Sequence, residues 1–355
     1  MTSPKPDLSS PAMKRLRYTS IGAFLLTVLV IMLGAWTRLV DAGLGCPDWP
    51  GCYGFLTVPT GEENVRLAEA RFPDTPLDAS KGWPEMIHRY AAGILGLVIV
   101  GLAIACYRLR DEGAPWKLAL FTAGFVMLQA AFGAWTVTLQ LWPQVVAAHL
   151  LGGFTTFCLL FILAMRLTPL RLPAMPRGLR NSLGRLRPWL YGGVALVVLQ
   201  IALGAWTAAN YAAVACPDFP TCQGQWWPAM EWSKGFDFFQ TVGPNYLGGQ
   251  LGNEARVAIH KGHRVGAVIV TVALGALLFM LGRRARGTEL RSWVILAGVL
   301  LAAQVVLGIV NVLLHIPVAI AVAHNIFGAF LLVALINLAY RLYRLESSAE
   351  SATNS

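Results

Sequence analysis

The sequence predicts an all-α integral membrane protein whose eight transmembrane helices form two pseudo-symmetric four-helix bundles. Composition, the length of its apolar runs and an internal repeat predict this. Of 355 residues, 56% are hydrophobic and 13% charged, whereas a soluble domain carries about 25% charged residues. Lipid is therefore the main solvent.

Crossing ~30 Å of hydrocarbon takes ~20 apolar residues in a helix. Runs of that kind lie at 18–40, 84–107, 115–137, 142–166, 187–209, 257–281, 291–313 and 317–340. Lys14, Arg15 and Arg17 precede the first run, but that run is too long for the apolar part of a signal peptide. It is read as a retained first span.

Lys and Arg accumulate in cytoplasmic loops. The N-terminus, 108–117, 166–187, 283–291 and the C-terminus together hold 19 Lys and Arg against 6 Asp and Glu. The opposite side, 38–89 and 210–264, holds 9 against 12. Both termini are thus expected in the cytoplasm, with the two long loops facing outward. The net charge of +10 follows from this topology, and no nucleic-acid partner is implied. The N-terminus shows no long Arg- and Ser-rich transit segment, which favours a bacterial cytoplasmic (inner) membrane.

Gly34-Ala35-Trp36-Thr37 recurs as Gly204-Ala205-Trp206-Thr207, and nine residues after each Thr comes a cysteine. These open Cys46-Pro-Asp-Trp-Pro-Gly-Cys52 and Cys216-Pro-Asp-Phe-Pro-Thr-Cys222, at an offset of 170 residues. His88-Arg89 matches His263-Arg264, and His149 matches His324, at an offset of 175. Both histidine pairs are 61 residues apart. The chain then divides into an N-terminal segment 1–17, a first half 18–166, a linker 167–187, a second half 188–340 and a tail 341–355.

Each half places one histidine near the outer start of its second span and one near the outer start of its fourth. Two imidazoles on separate helices of a bundle can supply both axial ligands of a haem iron. One such site is expected per half, His88 with His149 and His263 with His324. Any single intramembrane histidine could instead make a helix-to-helix hydrogen bond, but four at duplicated spacing point to ligation, since ionisable groups in a membrane are costly. Zinc is a poorer fit, because the histidines sit singly on different helices. Arg89 and Arg264 are candidates for contacts with porphyrin carboxylates, with snorkelling to the interface as the alternative. Small residues near the ligands, among them Gly93, Gly96, Gly152, Gly153, Gly266 and Gly328, could admit a flat macrocycle or serve helix packing.

The halves differ three residues before the first histidine, where Glu85 is matched by His260. Residues at i and i+3 share a helix face, so Glu85 is the candidate catalytic carboxylate, as general base or as a stabiliser of developing positive charge. His315 aligns with Gln140 and receives no role. Cys46, Cys52, Cys216 and Cys222 lie in outward loops and are expected to form disulfides or to do redox work, with pairing within or between loops left open. Cys106 and Cys158 read as buried small residues.

With GAWTRLVDAGLGCPDWPGCYG at 34–54, EMIHR at 85–89, AAHLLGG at 147–153, CPDFPTCQGQWWP at 216–228, IHKGHR at 259–264 and VAHNIFGAF at 322–330, the chain resembles the haem A synthases over roughly 18–340. In that family an eight-helix membrane enzyme oxidises the C8 methyl of haem O to the formyl of haem A for cytochrome oxidase assembly. The resemblance implies that His88 and His149 hold the substrate haem O and that Glu85 assists the oxidation. It further implies that His263 and His324 ligate a haem b cofactor and that Cys46 and Cys52 match a functional outer-loop pair. Implied partners are a haem O-producing membrane enzyme, an electron acceptor or donor of unassigned identity, and the lipid bilayer. A non-enzymatic membrane cytochrome with two b haems is the competing reading. A transporter suits parallel repeats with polar groups near one face less well.

Overall fold

A computed structural model describes residues 8–170 and 175–353. In chain order the helices are α1 (Pro11–Leu39), α2 (Glu62–Arg71), α3 (Ala79–Arg108), α4 (Trp116–Thr138), α5 (Pro143–Arg166), α6 (Arg177–Gly184), α7 (Arg187–Ala209), α8 (Trp232–Gly235), α9 (Asn253–Arg284), α10 (Leu290–Leu313) and α11 (Val318–Thr353). Among the described residues, eight helices are long and apolar enough to cross a membrane, namely α1, α3, α4, α5, α7, α9, α10 and α11. The protein is a multi-pass, all-helical membrane protein, as the apolar runs predict.

Several spans run beyond the apolar stretch that announces them. α1 starts at Pro11 rather than 18, α3 at Ala79 rather than 84, and α9 covers Asn253–Arg284 rather than 257–281. The extensions are polar but cap well. Ser10 accepts from the Met13 N–H at 3.3 Å, with Pro11 in the first turn, where a missing N–H costs nothing. Asp78 accepts from the Ser80 N–H at 3.0 Å to start α3, a side-chain cap that offsets an otherwise orphaned donor. Hydropathy alone sees only the part of a helix that lipid requires.

The chain divides into two compact units, 1–169 with 208–211 and 236–252, and 170–207 with 212–235 and 253–355. In the first unit α1 packs on α3 and α5, α3 on α4, and α4 on α5. Its fully buried apolar core, including Met13, Leu16, Ile99, Leu102, Cys106, Leu160 and Leu163, lies at the helix ends remote from His88 and His149. Phe24 stacks on Phe157 there, with centroids 4.4 Å apart. Cys106 and Cys158 are free and buried. In the second unit α9 packs on α10 and α10 on α11, while Gly193 of α7 faces Leu274 and Leu277 of α9. Side chains such as Leu97, Met127, Leu199, Val268 and Phe279 point outward and are exposed, as lipid-facing surfaces require.

The segment 236–252, which follows the second cysteine pair in sequence, packs within the first unit. Trp142 Nε1 donates to the Gln240 carbonyl at 2.9 Å, Gln144 Nε2 to the Phe238 carbonyl at 3.1 Å, and the Tyr246 N–H to the Gln140 carbonyl at 3.0 Å. The α4–α5 and α10–α11 hairpins turn alike. Gln140 and Leu141 have positive φ, as do His315 and Ile316. His315 is exposed and occupies the turn position of Gln140, so the structure gives it a place in a tight turn.

The loop bearing Cys46 is seated directly on α3. A β-carbon at Gly45 would run into the Lys81 carbonyl and stand 2.8 Å from the Gly82 nitrogen. Gly45→Ala is therefore expected to cost about 1–3 kcal/mol, the usual range for overpacking. It should lower the melting temperature of the detergent-solubilised protein; an unchanged melting temperature would mean that the loop does not rest on the helix.

Candidate functional site

The four histidines share one local geometry. Each ring lies against a glycine of the neighbouring helix, where a β-carbon would stand 2.9 Å from Cε1 of His88 (Gly34), 3.1 Å from that of His149 (Gly133), 3.2 Å from that of His263 (Gly204) and 3.4 Å from that of His324 (Gly308). At Gly34 a β-carbon would have to displace the ring, and at Gly133 and Gly204 it would crowd it. His149 feels the charge of His88, and His263 that of His324, so each unit brings its two imidazoles within electrostatic reach. All four residues are of intermediate burial and sit inside their helix pairs.

The residue four before each glycine completes the seat. In three cases it is a glutamine that the sequence reading passed over. Gln129 Nε2 donates to the His149 carbonyl at 2.5 Å and lies 3.1 Å from its Nδ1. Gln200 Nε2 donates to the His263 carbonyl at 2.9 Å and lies 3.0 Å from its Nδ1. Gln304 Nε2 donates to the His324 carbonyl at 2.8 Å. At Gln129 and Gln200 the amide also faces Nδ1, and which group donates in that contact depends on the ring tautomer. Gly152 and Gly266 make room for these side chains, since a β-carbon at either would overlap the amide oxygen of Gln129 or Gln200. These glycines thus admit a glutamine where the sequence suggested a macrocycle or plain helix packing. The signal was present in the sequence as Gln129-x-x-x-Gly133-Ala134-Trp135-Thr136, a third copy of the repeated motif. It went unseen because comparison at an offset of 170 aligns halves and not the helix pairs within them.

Glu85 is buried and held from three sides. Its Oε2 accepts from the Cys46 N–H at 2.9 Å, its Oε1 pairs with Arg89 Nη2 at 2.5 Å, and the Gly45 N–H is a further donor. In the second unit His260 accepts from Arg264 Nε at 3.2 Å. Arg89 Nη1 also donates to the carbonyls of Asp48 at 2.9 Å and Gly51 at 2.5 Å. Arg264 donates to the carbonyls of Thr221 at 2.7 Å, Cys216 at 3.0 Å and Asp218 at 2.9 Å. Both arginines therefore tie the cysteine loop to the helix that carries His88 or His263, a role that the sequence did not reveal.

The cysteines pair within loops, Cys46 with Cys52 and Cys216 with Cys222, which resolves the connectivity. Each loop closes on its aspartate. Asp48 accepts from the Tyr53 and Gly54 N–H groups at 2.6 and 2.8 Å, and Asp218 from those of Gln223 and Gly224 at 2.6 and 3.1 Å. Tyr53, Gly54, Gln223 and Gly224 have positive φ, the pattern of a tight two-residue turn in which glycine is favoured at the second position.

The fold and this geometry define a multi-pass membrane protein with a paired-histidine centre in each of two units. Residues 17–336 match the family model of the COX15-CtaA cytochrome oxidase assembly proteins, and the chain belongs to that family. It is 44% identical to the Heme A synthase of Shewanella oneidensis over 322 residues, 91% of this chain and 95% of that one. It is 27% identical to the Heme A synthase of Symbiobacterium thermophilum, over 83% of this chain and 85% of that one, and 27% identical to that of Sphingopyxis alaskensis, over 92% and 91%.

The Thr221 hydroxyl and the turn N–H groups hold the Asp218 carboxyl below its ordinary value, which is about 3.9 in an unfolded chain. Its support for the loop is then complete above that pH and is lost as pH falls through the lower folded value. Phosphine reduction of Cys216–Cys222, read by alkylation and mass spectrometry, should accelerate only below about pH 4. Asp218→Asn should show the faster reduction at neutral pH; equal rates for variant and wild type would remove Asp218 from the account of the loop.

Proposed function

We propose that this chain oxidises the C8 methyl of haem O to the formyl of haem A by successive hydroxylations, in cytochrome oxidase assembly. Membership of the family and the relatives named Heme A synthase support the reaction. The observation that carries the division of labour is a difference in charge between the two centres. The first has a buried carboxylate, Glu85, one helical turn from His88, and the second has His260 in that place.

The residues fit a porphyrin iron with two axial imidazoles. Each unit offers two histidines in mutual reach, and glycines bring the neighbouring helix close behind each ring. His88 and His149 hold the substrate porphyrin, and His263 and His324 hold haem b. The haem iron supplies redox chemistry when bound. Glu85 presents a fixed negative charge beside the first centre, where it favours loss of electrons from the carbon under oxidation. Arg89 commits Nη1 to loop carbonyls and one Nη2 hydrogen to Glu85, which leaves its Nε hydrogen and a second Nη2 hydrogen for a porphyrin carboxylate. Arg264 uses Nε and Nη2 fully and keeps one Nη1 hydrogen for the same purpose. The disulfide loops exclude water from above.

The arginine-rich helix ends lie opposite the cysteine loops, so the haem centres sit near the outer face of a bacterial cytoplasmic membrane with both termini inside. A membrane enzyme that makes haem O and a redox partner are the protein partners this reading requires.

The test is chromatographic identification of porphyrins extracted from wild type and Glu85→Ala expressed in cells able to make haem O. Wild type should yield haem A, and the variant should accumulate haem O or a hydroxylated form, with haem A falling at least tenfold. Haem b alone, unchanged by the substitution, would leave a non-enzymatic electron-transfer cytochrome.

A further inference from the structure

A glutamine side chain donates to the main-chain carbonyl of three of the four histidines, His149, His263 and His324, and His88 has no such glutamine. The position four before its glycine is Val30. Nδ1 of His88, like that of His324, is buried with no side-chain partner, and the Val30 backbone is what the His88 ring has in place of a glutamine. A second observation agrees. Three residues after His149 and His263 stand Gly152 and Gly266, where a β-carbon would overlap a glutamine amide, and four after His324 stands Gly328, where it would just touch one. The corresponding turn after His88 carries Ala91 and Ala92, which fit a site where no glutamine has to pass. In the first unit a glutamine therefore holds the main chain of His149 and not that of His88, while in the second unit glutamines hold the main chain of both histidines.

We infer that His88 is the releasable axial ligand, the one whose bond to iron opens to let the porphyrin enter and leave the first site, while Gln129, Gln200 and Gln304 are positioning residues that keep the other three ligands in place. The inference rests on the proposed function and goes beyond it by assigning exchange to one histidine. When the bond opens, the electron pair stays on Nε2 and the iron keeps His149, so no oxidant or proton donor is needed. Val30 is an apolar side chain that offers the His88 ring packing but no directed hydrogen bond. A turnover site has to exchange its porphyrin, whereas a resident cofactor has to stay, and the distribution of glutamines follows that difference.

The test uses purified full-length protein carrying porphyrin, mixed with excess apomyoglobin, with transfer followed by absorbance. Wild type should release porphyrin in a fast phase from the first unit and a slow phase from the second. Val30→Gln with Ala91→Gly, which supplies both the amide and the space for it, should slow the fast phase about fivefold, the factor one net hydrogen bond commonly provides, and leave the slow phase alone. A double variant that keeps its porphyrin yet releases it at the wild-type rate would overturn the inference. A second measurement stands if that variant folds poorly. Gln304→Val should make the second centre of the reduced protein bind carbon monoxide, which requires an axial ligand to leave; a carbon monoxide spectrum identical to wild type would also overturn it. If His88→Ala and His149→Ala both leave haem content and the two phases unchanged, the two-centre reading itself fails, an outcome distinct from loss of the clamp effect.

Discussion

A histidine ring laid against a glycine of the adjacent helix is the contact on which both centres depend. Without a side chain at Gly34, Gly133, Gly204 or Gly308, the helices approach until the ring edge lies close to the backbone, a distance that a β-carbon would deny at Gly34 and crowd at Gly133 and Gly204. That approach fixes where each imidazole stands and lets a glutamine one turn away reach the histidine's own carbonyl. At His149, His263 and His324 the amide groups satisfy the main-chain carbonyl that the close helix approach brings within reach. The same helix-pair plan therefore yields a ligand position four times over.

The cysteine loops act on the same helices from above. Glu85 joins the Cys46 backbone to Arg89, and Arg89 joins the loop carbonyls to the helix that carries His88. In the second unit Arg264 does the equivalent work with His260 as its neighbour. Shape and charge at the disulfide end are thus coupled, because the side chains that hold each loop follow or precede a ligand histidine by no more than one turn. The exchange of a carboxylate for an imidazole at that point changes the charge of one centre without changing its frame.

Much of this was legible in the sequence where periodicity and burial leave strong traces. The eight spans follow from uninterrupted apolar runs, and the histidine pairs follow from duplicated spacing between residues that a membrane tolerates poorly. The short helices α2, α6 and α8 left no such trace, since they are brief, polar and outside the apolar runs. The glutamine clamps were hidden for a different reason. Gln129 and Gln304 lie inside hydrophobic helices, and only their relation to a glycine four residues later marks them, a relation visible once helix pairs rather than halves are compared. Arg89 and Arg264 were noticed, but the carbonyls they bind belong to loops 38 or more residues away, and no local pattern predicts such a partner.

The most direct measurement on the central claim is low-temperature electron paramagnetic resonance of the oxidised protein with each histidine pair altered in turn. The account predicts two low-spin signals of bis-imidazole type, one lost on substitution of His88 or His149 and the other on substitution of His263 or His324. A single signal, or two that vanish together whichever unit is changed, would contradict an independent paired-histidine centre in each unit.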